Sequence, residues 1–194
     1  IRTLLDNSLV EAVLINTLND PWHKAIEQDR PNYILRSYLA RNNLVPAPMH
    51  IDSYIPYTGE HPLSIQVSLV LEPQDESNGC TVLVPGSHQS GKYTQQEARS
   101  EAVPVTTEAG DIVFWDSRIW HGTCANHSGG SRWSLIGTFV RWWIKQGYQI
   151  TQALPRTFYR ELTDSQRAVL GYCSIPFMDE SEGIDFKTGY SDLE

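Results

Sequence analysis

The sequence predicts a mainly β fold, a sandwich or barrel of the jelly-roll kind with flanking α-helices, and three observations carry that expectation. Residues 33–40, 64–71, 81–84, 103–106, 111–115 and 133–143 are short runs rich in β-branched and aromatic residues. Pro, Gly and Asn turns part them, and strands of this length and spacing suit two packed sheets. A chain of 194 residues with 40% hydrophobic content can build one substantial core, and no shift in composition marks a second, so residues 1–194 are expected to form a single domain.

Each element has a local reason. Leu4, Leu5, Leu9, Val10, Val13, Leu14 and Leu18 recur at roughly helical spacing ahead of Pro21, which predicts an N-terminal helix packed on the main fold as scaffold. Residues 54–60 form a loop between His50 and the strand beginning at Ser64, placed to act as a substrate lid. Gly110 to Asp116 reads as a buried strand, the next residues as a turn, and His121 as the start of another strand. Trp115 and Trp120 flank His121 and are candidates for a pocket lining. Residues 126–131 form a Gly/Ser turn ahead of the apolar run that Arg132 opens. Thr163, three residues before Gln166, opens a capping box for a short helix through about Leu170. The acidic stretch 179–194 reads as a surface tail, with a mobile cover as the alternative.

The net charge of −8, with basic residues scattered rather than clustered, argues against a nucleic-acid surface. No run approaches the ~18 apolar residues of a membrane span and no signal-peptide pattern is present, so a soluble, cytoplasmic protein with a small-molecule substrate and no membrane partner is expected. The oligomeric state is left open. The chain begins at Ile1 rather than Met, so residues are expected to be missing upstream. Cys80, Cys124 and Cys173 are odd in number and lack C-x-x-C spacing, which predicts reduced thiols.

Residues 46–54 read as extended, and alternate residues of an extended chain point to one side. His50 and Asp52 could thus offer an imidazole and a carboxylate to one ion, with His121 as a third ligand. Two histidines and a carboxylate are the ligand set of non-haem Fe(II) oxygenases, which leave positions open for a co-substrate and O₂. The set also suits catalytic zinc, although no general base for hydrolysis stands out. Arg132 carries a charge into an apolar strand and needs a partner, which a small acid's carboxylate would supply. Each residue has a plainer use: a surface turn pair, a hydrogen-bonded histidine at a strand end, an ordinary salt bridge. His88 is expected to make a structural hydrogen bond, and His23, His61 and His127 to be solvated.

Four stretches add context: Met49-His50-Ile51-Asp52; Ser64 to Glu72 running on to Asn78-Gly79 and Pro85-Gly86-Ser87-His88; Ala109-Gly110-Asp111 to His121-Gly122-Thr123; and Arg132. Together they resemble the phytanoyl-CoA dioxygenase family, a branch of the Fe(II)/2-oxoglutarate-dependent oxygenases, over a little over half the chain. Asn-Gly followed by Pro-Gly-Ser-His is more specific than the metal ligands. The resemblance implies a double-stranded β-helix, cupin-like, in which His50, Asp52 and His121 bind Fe(II). It also implies that Arg132, eleven positions after His121, grips the far carboxylate of 2-oxoglutarate, helped by Thr123. Gln66 and Ser68 fall where relatives place inward-facing co-substrate contacts, and Tyr38 is a candidate for the pocket wall.

The implied activity is hydroxylation of an unactivated C–H bond of a small molecule by O₂, with release of succinate and CO₂. Halogenating relatives carry a small residue in place of the aspartate, so Asp52 argues against that chemistry. The alternative is a non-catalytic metal- or acid-binding β-sandwich protein of the same fold. Family members act on acyl-CoA thioesters, amino acids, osmolytes and natural-product intermediates, so the family does not name a substrate.

Overall fold

The computed structural model describes residues 2–23, 26–42, 45–175, 179 and 181. They fall into two compact units, residues 38–137 and residues 1–37 with 138–194. Most of the predicted tail, 179–194, lies outside the described residues.

Among the described residues there are seven strands: β1 (Tyr33–Asn42), β2 (Ser64–Val70), β3 (Thr81–Leu83), β4 (Val103–Val105), β5 (Ile112–Asp116), β6 (His121–Thr123) and β7 (Trp133–Arg141). They form a four-stranded sheet in the order β1-β7-β2-β5 and a three-stranded sheet in the order β4-β3-β6. This order, non-consecutive along the chain, is the jelly-roll pattern predicted from strand length and spacing. In the unit of residues 38–137, β2 and β5 pair antiparallel with Gln66 opposite Trp115 and Ser68 opposite Val113. Because side chains alternate along a strand, Gln66, Ser68 and Val70 share one face of β2. In the other sheet Thr81 lies opposite both Val105 and Thr123. Ser68, Val70, Val113, Trp115, Thr81 and Val105 line a narrow interior cavity, with Gln74 and Thr107 completing its wall. On the outer side of β3, Val82 and Val84 pack with Met49 and Ala98.

Turn chemistry fixes the segments around that cavity. Asp75 Oδ1 accepts from the Ser77 hydroxyl and from the Ser77 and Asn78 amides, while Asn78 Nδ2 donates to the Pro73 carbonyl. Gly79 follows at a φ of 94°, a left-handed conformation that favours glycine. In the Pro85-Gly86-Ser87-His88 turn the Ser87 hydroxyl donates to Val84 O and accepts from the Trp120 amide, which ties this turn to the residue before His121. Arg118, only 4% exposed, forks onto Asp116 at 2.9 and 2.7 Å. It also donates to Gly59 O at 2.8 Å and lies 4.2 Å from the Tyr57 ring, so the loop expected as a lid is anchored through Tyr57 and Gly59.

The unit formed by residues 1–37 and 138–194 holds five helices among the described residues: α1 (Arg2–Leu5), α2 (Ser8–Leu18), α3 (Ile150–Ala153), α4 (Arg156–Arg160) and α5 (Asp164–Val169). The single predicted N-terminal helix is two helices, because the Asn7 side chain accepts from the Leu9 and Val10 amides and starts a new one. Val10, Leu14 and Leu18 are its buried stripe, one residue every turn. The Thr163–Gln166 capping box forms as expected. β7 stops at Arg141, earlier than predicted, where Ile144 N–H donates to Arg141 O and turns the chain. No helix among the described residues is long and apolar enough to cross a membrane.

Removing Arg118 would leave the Asp116 carboxylate half of a largely buried pair, a loss on the order of 3 kcal/mol. Arg118→Ala should lower the urea midpoint accordingly and speed proteolytic cleavage within residues 54–60.

Candidate active site

The segment leading to His50 runs antiparallel to β6. Thr123 N–H donates to Ala47 O at 3.3 Å, His50 N–H to His121 O at 2.8 Å and His121 N–H to His50 O at 3.0 Å. The two histidines are therefore directly opposite each other, with ring centroids 4.1 Å apart. The extended segment expected over residues 46–54 ends at this bridge. Beyond it the chain bends, and Asp52 and Ser53 both donate their amides to Ser117 O, at 2.8 and 2.9 Å, which swings the aspartate onto the same spot. Gly122 makes the close approach possible: a Cβ there would lie 2.9 Å from Ala47 O and 3.2 Å from Met49 Sδ.

His50, Asp52 and His121 converge, one ligand atom from each lying within 4.8 Å of the others. Asp52 Oδ1 is 3.6 Å from His50 Nε2, and Asp52 Oδ2 is 3.2 Å from His121 Nε2. Each ring has its Nδ1 against the carbonyl two residues earlier, Pro48 O at 2.8 Å and Ile119 O at 3.0 Å. A carbonyl only accepts, so Nδ1 carries a proton and Nε2 is the atom each ring turns towards Asp52, where it can give a lone pair to a metal once it has lost its own proton. Burial pushes the Asp52 pKa up, but the hydrogen bonds and charges of His121 and His50 outweigh it and hold the carboxyl far below its usual range. The hydrogen bond to Asp52 raises the His50 pKa against the opposing effect of burial. Ile51, Ser53, Tyr54, Tyr93 and Thr94 line a cleft of about 490 Å³ that opens on the cluster, and the His50 side chain is 42% exposed to it.

Arg132 sits just ahead of β7 and is 2% exposed. Its main chain is clamped: the Glu72 carboxylate accepts from the Ser131 hydroxyl and the Trp133 amide, and Asn42 Oδ1 accepts from the Arg132 amide. Gly79 lies beside the guanidinium, where a Cβ would meet Cys124 O at 3.2 Å and make only ordinary contact with Arg132 Nε at 3.5 Å. Arg132 Nη1 donates to Gln74 Oε1 at 3.1 Å, but buried Nε and Nη2 have no partner, and no carboxylate among the described residues lies within ion-pair distance. Gln74 Nε2 and Thr107 Oγ1 are also buried without partners. These two residues exchange backbone hydrogen bonds at 2.9 Å, so their side chains are neighbours on the cavity wall. Burial lowers the Arg132 pKa, the electrostatic sign of a cation short of a counter-charge.

Of the other predicted residues, Ser68 and Trp115 reach this cavity. Ser68 lines it, and Gln66, on the same face of β2, donates to Ser117 Oγ at 3.3 Å. Thr123 is buried and its hydroxyl accepts from the Ala47 amide at 2.7 Å, which commits one of its lone pairs to the segment leading to His50. The Tyr38 hydroxyl is buried and unpartnered. Trp115 lines the cavity and also donates its indole N–H to Asp52 Oδ2 at 3.3 Å, so one side chain borders both the cavity and the His-Asp-His cluster. Sequence reasoning missed Gln74 and Thr107. Their only trace was that Gln74 precedes the Asn78-Gly79 motif.

Two outcomes are expected from this geometry. Gly122→Ala should force the Ala47–Met49 segment away from β6 and weaken Zn(II) or Co(II) binding at least about tenfold, read by anaerobic titration. The second concerns pH. The folded-state pKa of His50 is raised, so its contribution to stability is full below 6.5 and is lost as pH rises through the folded-state value. The metal-free protein should therefore lose stability as pH rises above 6.5, and Asp52→Asn should flatten that dependence in urea-denaturation midpoints.

Comparison with known proteins agrees with the geometry. Residues 3–134 match the family model described as Phytanoyl-CoA dioxygenase (PhyH). An uncharacterized protein, Rv1501 of Mycobacterium tuberculosis, is 31% identical over 112 residues, covering 57% of this chain and 41% of that protein. The multifunctional dioxygenase prhA of Penicillium brasilianum is 28% identical over 112 residues, covering 53% of this chain and 36% of that protein. The chain thus spans less than half the length of these curated relatives. Among solved structures, HygX from Streptomyces hygroscopicus, with nickel and 2-oxoglutarate bound, superposes with a TM-score of 0.57 at 16% identity over 75% of this chain and 66% of that one. EvdMO1 superposes with the same TM-score, 0.57, at 23% identity over 72% of this chain and 32% of that one. Both share the fold. With well over half its length matched by the family model and its His-Asp-His cluster in place, the chain belongs to the phytanoyl-CoA dioxygenase family.

Proposed function

We propose that residues 1–194 are a single oxygenase domain of an Fe(II)- and 2-oxoglutarate-dependent dioxygenase that hydroxylates an unactivated C–H bond of a small molecule. The observation that carries this reading is the buried guanidinium of Arg132, with two unpartnered donors, beside a cavity whose wall also includes the Trp115 side chain bonded to Asp52. A protein that needed only a structural arginine would have supplied a carboxylate, because an uncompensated buried charge is costly. The fold instead leaves donors for an anion.

His50, Asp52 and His121 would hold the iron through two Nε2 atoms and a carboxylate oxygen. Their donor set suits Fe(II), and the side facing the cleft is open to substrate and O₂. Bound there, the iron supplies O₂ activation coupled to oxidative decarboxylation, so that substrate, 2-oxoglutarate and O₂ become alcohol, succinate and CO₂. Arg132 would bind the far carboxylate of 2-oxoglutarate by its planar fork, with the Gln74 amide and the Thr107 hydroxyl adding donors. Ser68 and Gln66 would line the co-substrate's path on β2, and Thr123 would contribute its hydroxyl proton. The tyrosine-flanked cleft on the other side of the cluster would take the small-molecule substrate.

The test is succinate formation from 2-oxoglutarate under air with Fe(II) and ascorbate, with and without a small-molecule library. His121→Ala should abolish turnover. Arg132→Ala should raise KM for 2-oxoglutarate by on the order of 100-fold, and Thr107→Val by about tenfold, as expected for lost charged and neutral hydrogen bonds respectively. Absence of turnover in iron-loaded protein, with or without the library, would overturn the proposal.

A further inference from the structure

We infer that Trp115 is the positioning residue for the metal-binding carboxylate: its indole N–H orients Asp52 towards the ion. This rests on the metal-binding role proposed above for His50, Asp52 and His121. The main chain of Asp52 is held by Ser117 O, but its side chain is attached to a bend and can still turn about two bonds. Among the described residues three groups approach the carboxylate: His50 Nε2 at 3.6 Å, His121 Nε2 at 3.2 Å and Trp115 Nε1 at 3.3 Å.

Those three are not equivalent once a cation is bound. Both imidazoles carry their protons on Nδ1, against Pro48 O and Ile119 O, so an Nε2 that gives its lone pair to a metal has nothing to donate to Asp52. Trp115 Nε1–H is then the one of the three that still donates. It reaches Oδ2, which restrains rotation of the carboxylate and leaves lone pairs of both oxygens directed at the gap between the rings.

Trp115 is itself well placed to act as a fixed point. It is a residue of β5, paired across to Gln66 on β2, and its ring stands 5.7 Å from that of His121 at 59°. A phenylalanine would keep most of that packing and remove the donor. The alternative, a tryptophan that only fills space, predicts that a ring without N–H serves equally well.

Anaerobic Co(II) titration of the wild type, Trp115→Phe and Trp115→His, followed by the visible absorption of the bound ion, separates the two. We expect Trp115→Phe to fold with an unchanged far-UV spectrum, to bind Co(II) about tenfold more weakly and to alter the shape of the absorption bands. Trp115→His, which restores a ring N–H, should recover part of the affinity. Binding by Trp115→Phe within twofold of the wild type, with superimposable bands, would overturn the inference while leaving the metal site intact. Failure of the wild type to bind Co(II) would overturn the metal-site reading and this inference with it. If Trp115→Phe does not fold, wild-type protein labelled with ¹⁵N at the indoles decides: one indole N–H resonance moving on addition of one equivalent of Zn(II) supports the inference, and none moving overturns it.

Discussion

Because His50 and His121 exchange backbone hydrogen bonds in both directions, their side chains leave two neighbouring backbones side by side and on one face. Everything else at the cluster follows from that pairing. The bridge has to be close, and the absence of a Cβ on Gly122 allows Ala47 and Met49 to approach β6 within van der Waals contact. Ser87 secures the far side of the same short strand through the Trp120 amide, and Ser117 brings Asp52 in as the third group. A cluster built this way relies on main-chain hydrogen bonds rather than on long side chains.

Electrostatics divides the site into two regions of opposite character. At the cluster, Asp52 remains ionised despite burial because two imidazoles compensate it. At Arg132 a cation is buried with a neutral amide as its nearest hydrogen-bonded partner, and its pKa falls accordingly. The first region suits a cation that would replace the shared protons; the second suits an anion. A molecule with a carboxylate at one end and metal-chelating oxygens at the other matches both, and Ser68 and Thr81 give the wall between them hydroxyls rather than further charge.

Much of this was legible in the chain. His50, Asp52 and His121 stand out as an iron ligand set within recognisable motifs and Arg132 as a charge opening an apolar strand, and the strand runs show through their β-branched composition and the turns that bound them. What stayed hidden depends on contacts between residues far apart in sequence. Gln74 and Thr107 become neighbours only through an isolated bridge across the fold, and each alone is an ordinary polar residue in a turn-rich stretch. The tether from Arg118 to residues 57–59 is equally non-local. The break between α1 and α2 could have been read, since Asn7 is a strong helix N-cap, but the apolar spacing on either side of it concealed the interruption. For Asn78-Gly79 and Pro85-Gly86-Ser87-His88 the motif was visible and its reason was not: one closes a left-handed turn that passes close to Cys124 O, the other fixes the residue before His121.

The unpartnered donors around Arg132 are unstable features for a protein to keep, since each buried polar group left unsatisfied costs about 1–3 kcal/mol. An arginine free to move would escape by swinging its head into solvent. Here it cannot do so easily, because Glu72 and Asn42 hold the backbone on both sides while Gln74 holds Nη1. The guanidinium is thus pre-oriented, and the loss of side-chain freedom that normally opposes anion binding has been incurred in folding. An anion that satisfies Nε, Nη2, Gln74 Nε2 and Thr107 Oγ1 together would relieve several orphaned groups at once, so binding at this end should stabilise the fold as well as anchor the ligand.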